Sequence, residues 1–216
     1  MFENTNKKVV YKCGCEATGD NVATFCPIHG DRTIKGDTKI TSFGIDLSLT
    51  GTGLSVLDGG ELLYSECYKP KNKSGPGRLI EIRHKVSEII DKFQPGLICL
   101  EGYSFGSKGR AVFQTGELGG LIRVLLHKTG IKWIEIPPSQ VKKFATGKGN
   151  CGKDIVLQQV YKRWGMEFKT SDEADAFVLA KIGTILLGHK EKLIKAQDEV
   201  IKVLKESEPA GVAKEK

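Results

Sequence analysis

Apolar positions along this chain follow two rhythms, a period of two and a helical period, and the switches between them mark out its elements. From Ile40 the sequence reads as a strand through Phe43 and Ile45 to Asp46. A tight turn of Ser, Thr and Gly follows, and Leu54, Val56 and Leu57 form a second strand folding back on the first. Asp58-Gly59-Gly60 makes another turn, and Glu61 to Tyr68 reads as a third strand. The period then changes. Leu79, Ile82, Val86, Ile89, Ile90 and Phe93 recur at helical spacing until Pro95-Gly96 stops the helix. Leu97 to Leu100 is a continuous apolar run, as in a strand buried on both faces, and it ends on Glu101. A helix over about 111–128 follows, its glycines 116, 119 and 120 allowing close packing. Alternation over 131–136 predicts a fifth strand, ended by Pro137-Pro138. Further helices are predicted over 139–144, 154–163 and from Thr170 onward. Beyond Gly188, Leu193, Ile194, Val200, Ile201 and Leu204 predict an amphipathic helix, packed on the domain or on a second subunit, before a frayed tail.

The order β-β-β-α-β-α-β-α-α predicts an α/β domain: a mixed five-stranded sheet flanked by helices. If the three-stranded meander continues through a right-handed crossover, its first strand neighbours the fourth. The expected division is 1–38 as an N-terminal segment with a polar linker, 39–188 as the main domain, and 189–216 as a charged helix and tail. A chain of 216 residues, 39% hydrophobic and 27% charged, is enough for one core with appendages. No apolar run approaches the length of a membrane span, and the first residues lack a signal-peptide core, so a cytoplasmic protein is expected, with no membrane partner.

Four acids change this picture. Asp46 closes an apolar strand, where a charge is costly unless neutralised, although the same residue could simply cap the turn. Glu101 ends a second buried strand. Thr170 and Glu173 fit a capping box, and first-turn acids favour the helix dipole, which would account for Asp172 and Asp175 without further chemistry. The two lie three apart on one helical face, however, and Asp175 is flanked by the core-like Ala174, Ala176 and Phe177. Two strand-end acids and two on a helix face can converge, and such carboxylates repel unless cations sit among them. An all-oxygen site suits Mg²⁺ or Mn²⁺, and two such ions about 4 Å apart can drive phosphodiester hydrolysis.

Charge supports a polyanionic partner. The net charge is +7 and the pI near 9.0. Lys142, Lys143, Lys148 and Lys153 lie in a stretch with glycines 147, 149 and 152. It is either a solvated face or a loop whose backbone approaches phosphate. The loop after Glu101 offers Tyr103, Phe105, Lys108 and Arg110, aromatics and cations suited to stacking on bases and holding phosphates. Cys67 and Cys99 read as buried thiols. Cys13, Cys15, Cys26 and His29 lie within seventeen residues and suit a structural tetrahedral Zn²⁺ on a small ribbon or knuckle. The Cys-x-Cys spacing is shorter than usual, and the other reading is an unstructured tail.

The motifs Gly44-Ile45-Asp46, Ile98-Cys99-Leu100-Glu101 and Asp172-Glu173-Ala174-Asp175-Ala176 resemble those of the RuvC family of Holliday junction resolvases, within the ribonuclease H-like fold. The resemblance runs from about Ile40 to Leu187 and includes Pro138-Ser139-Gln140-Val141-Lys142 with the Gly-Lys loop after it. It implies that Asp46, Glu101, Asp172 and Asp175 are metal-binding catalytic acids. It also implies a homodimer that nicks two symmetric strands of branched DNA and leaves 5′-phosphates. In that family an aromatic just after the glutamate wedges into the junction; here Tyr103 and Phe105 flank the matching place. The Cys/His segment and the charged C-terminal helix depart from the usual bacterial enzyme and resemble additions of a phage-type relative. Two other readings compete. Gly44 to Gly53 also resembles the phosphate loop of actin-like ATPases and sugar kinases, which need two such domains and have no role for an Asp-x-x-Asp pair. The fold could also serve as a non-catalytic DNA-binding platform, which the presence of all four acids disfavours.

Overall fold

The computed structural model describes residues 8–10, 16–18, 40–72, 74–103 and 110–206, with the side chains of 8–10, 16–18, 110, 111 and 153 left out. The chain divides into two compact units, Met1–Thr38 and Lys39–Lys216. In the first, β1 (Lys8–Val10) pairs antiparallel with β2 (Glu16–Thr18). The Val10–Glu16 pair brackets Cys13 and Cys15 in sequence.

The second unit carries a mixed five-stranded sheet. It is built from β3 (Thr41–Asp46), β4 (Thr52–Asp58), β5 (Glu61–Tyr68), β6 (Leu97–Glu101) and β7 (Trp133–Ile136), in the order β5-β4-β3-β6-β7. β3, β4 and β5 form the antiparallel meander, while β6 runs parallel to both β3 and β7. Thus β3 and β6 are neighbours, as the crossover rule requires once α1 (Gly75–Phe93) covers the connection. Helix α1 ends where Gln94 turns left-handed at φ 45°, just before Pro95.

Period two assigns the faces. Phe43, Ile45, Ile98, Leu100 and Trp133 pack with α1 and α2 (Arg110–Thr129) in one core. Leu97, Cys99 and Ile136 point the other way, into a core shared with α3 (Pro138–Thr146), α4 (Lys153–Trp164), α5 (Ser171–Leu186) and α6 (Lys195–Glu206). Helix α5 is buried almost throughout and lies across β3, β4 and β6. The C-terminal helix α6 seals the same layer with Val200, Ile201 and Leu204, so it packs on its own chain against α3 and α5. Among the described residues no helix is long and apolar enough to cross a membrane.

Two sequence expectations about packing need correction. Of glycines 116, 119 and 120, Gly119 alone has close neighbours among the described residues, the side chains of Tyr103 and Arg123; a Cβ at Gly116 or Gly120 would meet none of the described atoms within 4 Å. Cys99 is buried, and burial pushes its thiol pKa up, but Cys67 is only half-buried. Cys67 lies on β5, the edge strand of the sheet, whose residues are mostly only partly buried.

Candidate active site

Asp46 is the last residue of β3 and Glu101 the last of β6. The parallel register pairs Ile45 with Leu100, so the two acids leave neighbouring strands at the same level. Ile45 and Leu100 face α1 and α2; alternation therefore turns Asp46 and Glu101 to the α5 face. Asp46 is 8% exposed, a buried carboxylate at a strand end. Its cross-strand partner is Gly53.

Glycines decide how near α5 can come. A Cβ at Gly53 would collide with the Asp172 carbonyl and lie 3.2 Å from the Ala176 Cβ. At Gly44 it would collide with the Ala176 carbonyl, 2.5 Å from the Ala180 amide nitrogen. The first turns of α5 therefore rest on bare backbone of β3 and β4 beside Asp46. Thr170 caps that helix with a reciprocal box through Glu173, which leaves Asp172 and Asp175 outside the capping bonds. Asp175 is 7% exposed, one turn in. Asp172 is half-buried and accepts a hydrogen bond from the Cys67 thiol, with Sγ 3.8 Å from Oδ2. Burial raises the Cys67 pKa against a hydrogen bond to Thr170, and the Asp172 charge raises it further.

The strand acids and the helix acids thus belong to one end and one face of the sheet. Among the described residues, no group of three or more Cys, His, Asp or Glu side chains is placed so as to hold a metal ion. The donor set is all carboxylate oxygen and two of its members are buried, which fits hard divalent cations.

Tyr103 follows Glu101 by two residues and is 43% exposed, with Arg123 over its ring. Lys142 and Lys143 lie on α3, and Lys148 is exposed in the turn after it. Lys143 is paired with Glu199 on α6 at 2.8 Å, so its charge is shared within the protein. Thr146 organises the Lys148 turn, its hydroxyl accepting from the Lys148 amide at 3.1 Å. Cys13, Cys15, Cys26, His29, Phe105 and Lys108 lie outside the described residues, as do the side chains of Arg110 and Lys153. Sequence reasoning missed Cys67 as a neighbour of Asp172 and Arg123 as a neighbour of Tyr103. Glycine inside the apolar strand at 44 was the available signal for the close approach of a helix; nothing local pointed to either pairing.

Residues 42–182 match the family model described as crossover junction endodeoxyribonuclease RuvC. The RuvC of Synechococcus sp. (strain WH7803) is 31% identical over 147 residues, covering 65% of this chain and 95% of that protein. The RuvC of Prochlorococcus marinus (strain NATL2A) is 30% identical over 150 residues, covering 66% and 97%. Among solved structures, T. thermophilus RuvC in complex with Holliday junction substrate is similar at a TM-score of 0.57 and 26% identity, over 67% of this chain and 91% of that one. The matched span starts in the strand that bears Asp46 and ends in the helix that bears Asp172 and Asp175, taking in the sheet between them. A likeness that includes every element around the candidate site, and most of the chain, means that this chain belongs to the RuvC family of crossover junction endodeoxyribonucleases.

Proposed function

We propose that the chain is an endonuclease that resolves Holliday junctions and related branched DNA as a homodimer, leaving 5′-phosphate ends. The observation that carries the reading is the β3–β6 register, which sets Asp46 and Glu101 side by side beneath the acid-bearing end of α5 in a RuvC-family chain. A relative solved with a Holliday junction substrate supports branched DNA as the partner. Divalent-metal dependence is general to the family. In this chain Asp46, Glu101, Asp172 and Asp175 would hold two Mg²⁺ or Mn²⁺ ions, which when bound supply charge neutralisation and Lewis acidity at the scissile phosphate.

The chain's own residues set the stage. Gly44 and Gly53 seat α5 directly on the sheet, which holds the helix acids close against the strand that bears Asp46. The Cys67 thiol limits how the Asp172 carboxylate can turn. Lys142 and Lys148, with Lys108, Arg110 and Lys153, are assigned to backbone phosphates, and Tyr103 and Phe105 to the unstacked bases of the branch. Lys143 is assigned the weakest share, because Glu199 already offsets its charge.

The test is cleavage of a synthetic four-way junction labelled in turn on each strand, run beside flap and duplex of the same sequence. With Mg²⁺, paired nicks at symmetric positions and ends that religate without treatment are expected; chelation by EDTA should stop the reaction. Equal cutting of plain duplex would defeat the junction assignment.

Residues 39–188 are taken as the nuclease domain, 1–38 as a zinc element with its linker, and 189–216 as an appended charged helix and tail in a cytoplasmic, phage-type protein. For the zinc element, the support is four thiol and imidazole donors within seventeen residues, the first two bracketed by a short hairpin. Metal analysis of the purified protein should find about one zinc per chain. A Cys26→Ser protein that keeps its full zinc content would remove this assignment.

A further inference from the structure

We propose that Arg123 is a positioning residue for Glu101, acting through Tyr103; the inference rests on the nuclease reading of Glu101. Arg123 stands on α2, facing β7. Its Nε donates to Glu135 Oε1 and its Nη2 to Glu135 Oε2, both at 2.7 Å. The remaining arm, Nη1, donates to the Tyr103 hydroxyl oxygen at 2.7 Å. The guanidinium also lies 4.3 Å from the centroid of the Tyr103 ring. Tyr103 in turn donates its hydroxyl proton to the Gly116 carbonyl at 3.3 Å.

Glycine at 119 makes the slot. A Cβ there would collide with the Tyr103 hydroxyl and come within 2.6 Å of Arg123 Nη1. The clamp thus joins three elements: α2 through Arg123, Gly116 and Gly119, β7 through Glu135, and the exit of β6 through Tyr103. A planar fork with all three nitrogens engaged holds direction as well as distance, which an ammonium cannot do.

Only Gly102 separates this clamp from Glu101. Glu101 is the last residue paired in the β6–β7 ladder, and since glycine adds no side-chain constraint, the exit of the strand beyond it is held by what flanks Gly102. On one side is the backbone bond from the Gly102 amide to the Ile136 carbonyl, 2.9 Å. On the other is Tyr103. Glu101, Tyr103 and Arg123 line a single cleft. Arg123 is therefore engaged with protein rather than held open for phosphate, although it lies in a basic, DNA-cutting enzyme. Misplacing a catalytic group by about 1 Å can cost about a hundredfold in rate, so a clamp of this kind has consequences for cleavage without touching substrate.

The experiment uses the full chain with Arg123→Met, which keeps the aliphatic stem and removes the fork. Single-turnover junction cleavage in Mg²⁺ should fall by at least about tenfold. The junction Kd in Ca²⁺ should change by less than about threefold. Hydrogen exchange at the Gly102 amide, read without DNA or metal, should accelerate. Arg123→Lys should not restore the native values, and adding Tyr103→Phe to Arg123→Met should cost nothing further. A smaller loss of cleavage, an unchanged Gly102 exchange rate, or a loss of junction affinity that matches the loss of cleavage would each overturn the proposal. Should Arg123→Met fail to fold, Glu135→Gln, which takes the charge from the fork's other partner, puts the same three measurements to the clamp. The exchange readout needs no nuclease activity, so an unaltered protein that cuts no junction would sink the nuclease reading while leaving the clamp separately testable.

Discussion

An Asp46→Asn protein should bind a four-way junction in Ca²⁺ about as well as the unaltered chain, yet cut it in Mg²⁺ at least about a hundredfold more slowly. A hundredfold is about 2.7 kcal/mol of transition-state stabilisation. The substitution is close to isosteric, so packing at the end of β3 is kept. What is lost is a negative charge at a site 8% exposed, next to Gly53 and the start of α5. Because shape and packing are kept, the melting temperature without metal should change little. Junction binding depends on cations spread over other elements and should persist. Gel shifts in Ca²⁺ and single-turnover cleavage in Mg²⁺ separate the two quantities. Cleavage retained at the native rate would mean that the strand-end acid is not part of the hydrolytic centre.

The second large effect is expected at Gly44. An alanine there would drive its Cβ into the Ala176 carbonyl, 2.5 Å from the Ala180 amide nitrogen and 2.9 Å from the Leu179 Cβ. Two of these atoms are helix backbone, which cannot rotate away, so α5 must lift off β3. Overpacking of this kind costs about 1–3 kcal/mol or more, and each kcal/mol lowers the melting temperature of a chain this size by about 2–4 °C. Because α5 carries Asp172 and Asp175, cleavage should fall with it, beyond what the stability loss alone explains. Gly53→Ala should behave alike, since its Cβ would meet the Asp172 carbonyl. A Gly44→Ala protein that melts and cuts as the unaltered chain does would show that helix and sheet are not locked here. Thermal melts and cleavage well below the melting temperature are the measurements.

These effects show where sequence reasoning had purchase. Strand and helix periods were legible because each element buries one continuous stripe or face; Leu79 to Phe93 and Leu97 to Leu100 announce themselves locally. So did Asp46 and Glu101 as strand ends, since an ionisable residue closing an apolar run is costly wherever the chain goes. Neighbourhood relations within a meander and one right-handed crossover were accessible too, because topology rules allow few alternatives.

Side-chain partnerships were a different matter. The tyrosine after Glu101 read as a base-stacking aromatic; that Arg123, twenty residues on, lies against its ring and bonds its hydroxyl had no local signal. Lys143 read as one more cation in a phosphate-binding run, but a glutamate on α6, beyond the matched span, pairs with it. Cys67 read as a core thiol, but an edge strand leaves it half-buried beside Asp172. By itself the sequence determined the order of elements and the face each one buries, because these follow from local period. Only the tertiary structure decided which groups meet across that framework. Such contacts depend on crossing positions of α2, α5 and α6 over the sheet, which single glycines and long-range packing set and no local pattern encodes.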